Sequence, residues 1–317
     1  MRGASVLRIA TAIALLAATL WWAGPANVWN AARQAQWQWI VAALSLVAID
    51  RGLNAYRWIG LLDPILGTNR PPLRDILRVF FVSTYLGTFL PTSLGSDAVR
   101  MYAANKLNVP GRDAFASVFV DRFLGIVSNL LMAIAGLLVA RDLADDPVIR
   151  AGLLGTAGIC LAAATLIFSR QAARASTGIA QRLPGQRAGR IASSAVSALQ
   201  QYATKRQTLG LVLMASLGVQ ALRVMQAYCL GRSLAIDLPL AAYFAFIPPI
   251  LLVMLLPISF FGLGTSQVAF VALFSRAHVD RGDAFFLSVL FLALGVAGNL
   301  PGGILYAFGS SREARTQ

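Results

Sequence analysis

Apolar runs of membrane-span length alternate with short polar stretches along the whole chain, and two runs are broken midway by helix-breaking sequence. Residues 7–23 are apolar behind Arg2 and Arg8. They resemble a signal peptide, with Ala23-Gly24-Pro25-Ala26 as a small-residue cleavage site, but in so hydrophobic a chain they read as a retained first span. Residues 37–62 predict a second span. Residues 76–107 begin as a third, stop at Pro91 and continue as L-P-T-S-L-G-S-D-A-V-R over 90–100. Residues 114–140, 148–168 and 209–234 predict full spans. Residues 243–274 are interrupted again, by L-P-I-S-F-F-G-L-G-T-S-Q over 256–267, and 284–308 form the last span, with a kink predicted at Pro301-Gly302-Gly303. The pattern predicts an all-α polytopic membrane protein, one membrane domain over 1–317, with about six full spans and two re-entrant or broken helical hairpins. Broken helix at membrane depth is tolerated only where protein buries it or it lines a cavity, and a matched pair of breaks points to a transporter's binding site.

Composition agrees: 57% of the residues are hydrophobic and 13% charged, against roughly 25% charged in an ordinary soluble domain. The net charge of +14 would suggest nucleic acid in a soluble protein. Here it follows from the Lys/Arg bias of cytoplasmic loops, so no nucleic-acid partner is expected. The connector 169–208 holds seven Lys/Arg and no acid, whereas 141–146 reads Arg-Asp-Leu-Ala-Asp-Asp. The first belongs inside and the second outside, which puts both termini in the cytoplasm. Within the connector, Ile191, Ala195, Leu199 and Tyr202 share one helical face. That face suits either a helix lying at headgroup level or one packed on the bundle's cytoplasmic side.

The chain also matches itself. From Asp97 an offset of 170 superposes Asp113-Ala114-Phe115 on Asp283-Ala284-Phe285 and Asn129-Leu130 on Asn299-Leu300; an offset of 172 superposes Arg51 on Arg223. Residues 37–140 and 209–309 are the two units. The loop charges start one unit outside and the other inside, the arrangement of inverted repeats.

Arg51 and Arg223 fall near the middle of their spans, where a charge is costly and marks a binding site or a structural ion pair; Asp50 is an adjacent partner for Arg51. A guanidinium recognises phosphate bidentately. After Pro91 a helix restarting at Gly95 or Ser96 places Asp97 in its first turn, and Arg100 one turn on as a pairing partner. Thr265 or Ser266 caps the helix after the second break, and such helix N-termini suit an anionic headgroup. Asp121 and Arg122 lie too deep for a solvated loop and predict a charge network with Arg100 or Arg57. A proton-coupling role for Asp121 is the sharper alternative. Ser93, Ser259 and Gln267 complete the candidate substrate-binding set, with Pro91, Gly95, Pro257, Gly262 and Gly264 as the breakers. Asn129 and Asn299 predict interhelical hydrogen bonds. Cys160, Cys229 and a lone His278 suggest neither disulfide nor metal site, and no cofactor is expected. No catalytic motif of the familiar kinds is present.

At L-P-T-S-L-G-S-D-A-V-R (90–100), A-S-V-F-V-D-R-F-L-G (116–125) and L-P-I-S-F-F-G-L-G-T (256–265) the chain resembles the membrane-domain family of lysylphosphatidylglycerol synthases, also described as flippase-like integral membrane proteins. The resemblance implies a bacterial inner-membrane protein with re-entrant helices around a central cavity, and roles in moving aminoacylated phosphatidylglycerol or in glycolipid, polyprenyl-linked sugar or hopanoid pathways. It carries over Pro91, Ser93, Gly95, Asp97, Arg100, Asp121, Arg122, Pro257, Gly262 and Gly264. Two departures stand out: Gly95-Ser96-Asp97 where the family has Gly-Gly-Asp, and Gly264-Thr265-Ser266-Gln267 where it has Gly-Thr-Arg-Glu. The second removes the acid matching Asp97 under the repeat. No aminoacyltransferase domain accompanies the spans.

The expected function is binding and translocation of an anionic phospholipid or of a polyprenyl- or glycolipid intermediate. Two rivals are a non-transporting accessory subunit, partnered with a lipid-modifying enzyme, and a lipid-linked glycosyltransferase using Asp121 as base.

Overall fold

Thirty residues without a breaker until Pro64 make the first long helix, α1 (Trp37–Leu66), which ends where Gly67 takes a φ of 51° and bonds back to the Asp63 carbonyl. The computed structural model describes residues 35–67, 71–90, 95–139, 147–169, 186–254 and 264–313, with a few isolated positions besides, and each element among them is helical. α2 (Leu73–Thr88), α3 (Gly95–Lys106) and α4 (Gly111–Val139) follow, then α5 (Pro147–Phe168) and α6 (Gln186–Gln201). After a 3-10 turn at Tyr202–Thr204 come α7 (Arg206–Ser233), α8 (Leu240–Met254), α9 (Thr265–Arg276), α10 (Arg281–Ala297) and α11 (Leu300–Glu313).

Among the described residues four stretches are long and apolar enough to cross a membrane: Gly111–Leu138, Arg150–Phe168, Arg206–Ser233 and Arg281–Ala307. α1, at about 45 Å, is long enough as well. α5 has only 11% of its apolar window buried, so most of its surface demands an apolar surrounding. The predicted first span, residues 7–23, lies outside the described residues.

The helices flanking the breaks are short. α2 and α3 have 16 and 12 residues, α8 and α9 have 15 and 12, all below the roughly 20 a span requires. α2 and α3 pack on each other. Gly87 meets Ser96 so closely that a Cβ at Gly87 would overlap it, so the two helices approach there only because position 87 has no side chain.

Two turns are the same turn. After α3, Asn108 takes a φ of 63° and the Leu107 and Val109 amides bond to the Ala104 carbonyl at 2.9 and 3.2 Å. After α9, His278 takes 61° and the Ala277 and Val279 amides bond to the Phe274 carbonyl at 3.0 and 3.2 Å. The packing also alternates: α1 lies along α7, α4 on α8, and α11 on α2. A Cβ on Gly136 would overlap the Phe244 carbonyl and one on Gly302 the Phe81 carbonyl, so each final long helix touches the other hairpin's backbone.

The predicted kink at Pro301-Gly302-Gly303 is displaced. The helix breaks at Gly298 and Asn299, between α10 and α11. Pro301 offers no N–H to the carbonyl four residues back, which is that of Ala297, the last residue of α10. Gly302 and Gly303 instead seat α11 against Phe81 and Tyr85.

α6 packs on the bundle. Ala198, Leu199 and Tyr202 are buried against Leu61, Ala116, Val120 and Ile167, the Tyr202 hydroxyl donates to the Leu61 carbonyl at 2.9 Å, and Gln200 donates to Ser169 at 3.2 Å. Burial raises the Tyr202 hydroxyl above its ordinary range and keeps it a neutral donor. Leu199 and Tyr202 of the predicted face therefore pack on the bundle, while the side chain of Ile191 lies outside the described residues.

Candidate functional site

Asp50, Asn54 and Arg57 repeat at helical spacing on α1, and Gln220, Arg223 and Gln226 do so on α7. Such a stripe in an otherwise apolar helix forms one polar face. α1 lies along α7, and both stripes line a cavity of about 390 Å³, together with α3, α4 and the α10–α11 break. Arg51 sits at the middle of the 30-residue α1, so the cavity lies at half the depth of the long helices.

The charges form three groups. Arg51 and Arg223, matched by the repeat, converge on one carboxylate: Arg51 approaches Asp50 at 3.4 Å and Arg223 at 3.6 Å. Arg51 also donates to the Gly295 carbonyl at 3.2 Å. Asp121 is shared likewise, by Arg57 at 2.8 Å and Arg100 at 3.5 Å. Arg57 further donates to the Asp121 carbonyl at 2.9 Å and to Asn54 at 3.0 Å. The Arg100 guanidinium lies over the rings of Phe80 and Trp58, at 4.8 and 5.3 Å from their centroids, which favours the cation. The third group joins Asp97 to Arg122 at 2.6 Å. The expected Asp97–Arg100 pair is therefore replaced: α4 brings Arg122 to Asp97 and Asp121 to Arg100.

Around this cavity five guanidinium groups face three carboxylates. Buried charges need partners, and several donors here have none. Arg51 Nε, Arg57 Nε, Arg100 Nε and Gln226 Nε2 are buried with no acceptor among the described residues. Asn129 donates to the Pro248 carbonyl at 3.3 Å and Asn299 to Thr88 at 2.8 Å, so both amides bridge helices as expected. Gln220 bridges α7 to α4 through the Gly125 carbonyl at 3.2 Å.

Beside the polar cavity runs a second one of about 350 Å³ between α3, α4 and α5, lined by Met101, Phe115, Phe119, Phe123, Ile159 and Cys160. The two cavities share Asp97, Arg122 and Ile126. The Asp97–Arg122 pair thus stands where polar lining gives way to apolar lining. Among the described residues no three His, Cys, Asp or Glu side chains gather to hold a metal ion.

Both members of several repeat-matched pairs line the cavity: Arg51 and Arg223, Asn54 and Gln226, Gly125 and Gly295, and Asn129 and Asn299. Elsewhere the matched positions share the lining and not the chemistry: Asp121 and Arg122 correspond to Phe291 and Leu292.

Of the candidates read from sequence, Arg51, Arg223, Asp97, Arg100, Asp121 and Arg122 come together here. Gln267 does not. It is fully buried, and its side-chain oxygen accepts from the Gly264 amide at 2.6 Å and the Ser266 hydroxyl at 3.0 Å. It caps its own helix in place of Thr265 or Ser266, while Gly264 takes the positive φ of 84° that a side chain would strain. Gly95 opens α3 against Leu90. Pro91, Ser93, Pro257, Ser259 and Gly262 lie outside the described residues. Asn54, Gln220 and Gln226 had not been singled out, although polar spacing of three and four within apolar runs was the available signal.

One family model matches, described as lysylphosphatidylglycerol synthase TM region, over residues 7–302. No curated protein and no solved structure matches the chain.

Proposed function

The chain belongs to the lysylphosphatidylglycerol synthase TM region family, and from that premise we propose that it binds an anionic phospholipid or lipid-linked intermediate and translocates it across the bacterial cytoplasmic membrane. The carrying observation is the junction of the two cavities. An arginine-rich chamber at half-depth adjoins an apolar groove at Asp97 and Arg122, which suits a molecule with an anionic head and a hydrocarbon tail. Guanidinium groups recognise phosphoryl oxygens through paired N–H donors.

In this reading the two units are inverted repeats, related by an axis through the cavity near Arg51 and Arg223. The matched turns and alternate packing support that relation. The short helix pairs α2–α3 and α8–α9 are re-entrant, both termini are cytoplasmic, and rocking of one unit against the other changes the side from which the chamber opens.

The test is lipid flipping in proteoliposomes, read by dithionite bleaching of a fluorescent phosphatidylglycerol. Replacing Asp50→Asn, Arg51→Gln and Arg223→Gln together removes the shared cluster without stranding a buried charge. The wild-type chain should flip the probe, and the folded triple variant should not. Equal rates in the two would refute the assignment.

A further inference from the structure

Each excess charge in the chamber can be located. Asp50 is shared by Arg51 and Arg223, at 3.4 and 3.6 Å, and Asp121 by Arg57 and Arg100, at 2.8 and 3.5 Å. One carboxylate neutralises one guanidinium, so each of these two clusters keeps one positive charge. Asp97 and Arg122 balance one to one. Nothing nearby in sequence makes up the difference, since 91–94 (Pro-Thr-Ser-Leu) and 255–263 (Leu-Leu-Pro-Ile-Ser-Phe-Phe-Gly-Leu) contain no acid. Among the described residues, Nε of Arg51 in the first cluster and Nε of Arg57 and of Arg100 in the second find no acceptor, while Oδ1 of Asp50 accepts no hydrogen bond.

We infer that the chamber is built for a lipid head with at least two negative charges on phosphoryl oxygens, a phosphomonoester or a diphosphate, in preference to a singly charged phosphodiester. The inference rests on the lipid-binding reading above. Arg51 and Arg57 are six residues apart on one helix, about 9 Å along its axis. A phosphomonoester or diphosphate between them draws on guanidinium groups from both ends. A phosphodiester neutralises one end and leaves the other without an anionic partner, so it forgoes one of the two charge-assisted contacts. A head with a net positive charge is disfavoured at both ends. Selection therefore comes from charge count, and the neutral Asp97–Arg122 pair marks where the head ends and the tail groove begins.

The experiment measures dissociation constants of the full chain in phosphatidylcholine nanodiscs, at pH 8, for four probes. These are short-chain phosphatidate, short-chain phosphatidylglycerol, farnesyl diphosphate and inorganic pyrophosphate. Phosphatidate and farnesyl diphosphate should bind at least about tenfold more tightly than phosphatidylglycerol, the affinity ratio one additional matched charge pair gives for about 1.4 kcal/mol. Lowering the pH to 5.5 protonates about three quarters of the monoester, whose second pKa is about 6, and should cut the phosphatidate advantage about threefold while leaving phosphatidylglycerol unaffected. Equal affinity for all three lipids would overturn the two-charge inference and leave the lipid reading standing. No lipid binding would overturn both. Inorganic pyrophosphate binding as tightly as farnesyl diphosphate would keep the charge count but reject a lipid ligand. Arg51→Gln and Arg100→Gln each remove one excess charge and strand no acid, because Arg223 and Arg57 remain to pair with Asp50 and Asp121. Each should reduce the preference, and the double variant should abolish it. A folded double variant that keeps the preference would also overturn the inference; if it does not fold, the wild-type pH series decides alone.

Discussion

α3 and α9 have the same length, start 170 residues apart, follow the two breaks and end in the same left-handed turn, yet they bury opposite chemistry. α3 buries Asp97 and Arg100 toward the chamber; α9 buries Phe270, Val271 and Phe274 in the main aromatic core. At matching positions Asp97 becomes Gln267, Arg100 becomes Phe270 and Ala104 becomes Phe274. Phe270 stacks on Phe274 at 5.6 Å, and Tyr243 and Phe246 pack edgewise on Phe274. The backbone plan is common to both halves, and the side chains have divided the work. The first half carries most of the charge, while the second supplies a rigid apolar wall and the arginine at 223.

The comparison breaks most violently at Asp50, because both halves depend on that one carboxylate. Asp50→Ala strands two guanidinium groups and should destabilise the protein by about 3–5 kcal/mol. A large fall in the detergent melting temperature would report this, with substantial recovery in the fully neutral Asp50→Asn, Arg51→Gln, Arg223→Gln combination. If Asp50→Ala melts like the wild type, the shared ion cluster is not what holds α1 to α7.

The glycine contacts sharpen the common plan. Gly136→Ala and Gly302→Ala would drive a methyl group into the Phe244 and Phe81 carbonyls respectively. Each should cost about 1–3 kcal/mol of overpacking, visible as similar drops in thermal stability. A strongly unequal pair of drops would mean that the two helix-on-hairpin contacts are not equivalent.

Much of this was legible in the pattern of residues. Span-length runs, paired breaks and mid-span charges are local signals, and they singled out Arg51, Arg223, Asp97, Arg100, Asp121 and Arg122, which the fold places around one cavity. Which acid meets which arginine was not legible, because pairing depends on how each helix is rotated about its axis. Adjacency suggested Asp50 for Arg51, but nothing local assigned the same carboxylate to Arg223, 173 positions away. The same limit moved Arg100 from Asp97 to Asp121. The proline effect at 301 was legible, but its site of action was not, since a proline releases the carbonyl four residues before it.

Gln267 is the instructive failure and the finest test of the comparison. Alignment with Asp97 suggested a ligand-facing group, but its buried amide serves the Gly264 amide at the start of α9. A cap of this type contributes about 1 kcal/mol. Gln267→Ala should therefore lower stability by about that amount and leave lipid affinity and flipping unchanged. Asp97→Asn removes the charge that balances Arg122, at the mouth of the apolar groove. The neutral side chain keeps the shape of the carboxylate and adds one more uncompensated cation to the chamber. Lipid selectivity should shift further toward heads of higher negative charge, while the melting temperature changes modestly because Arg122 remains partly exposed. The two variants should thus separate cleanly, one moving stability alone and the other moving selectivity. If Gln267→Ala alters selectivity as much as Asp97→Asn does, the second half takes part in recognition through α9, and the division of labour between the halves fails.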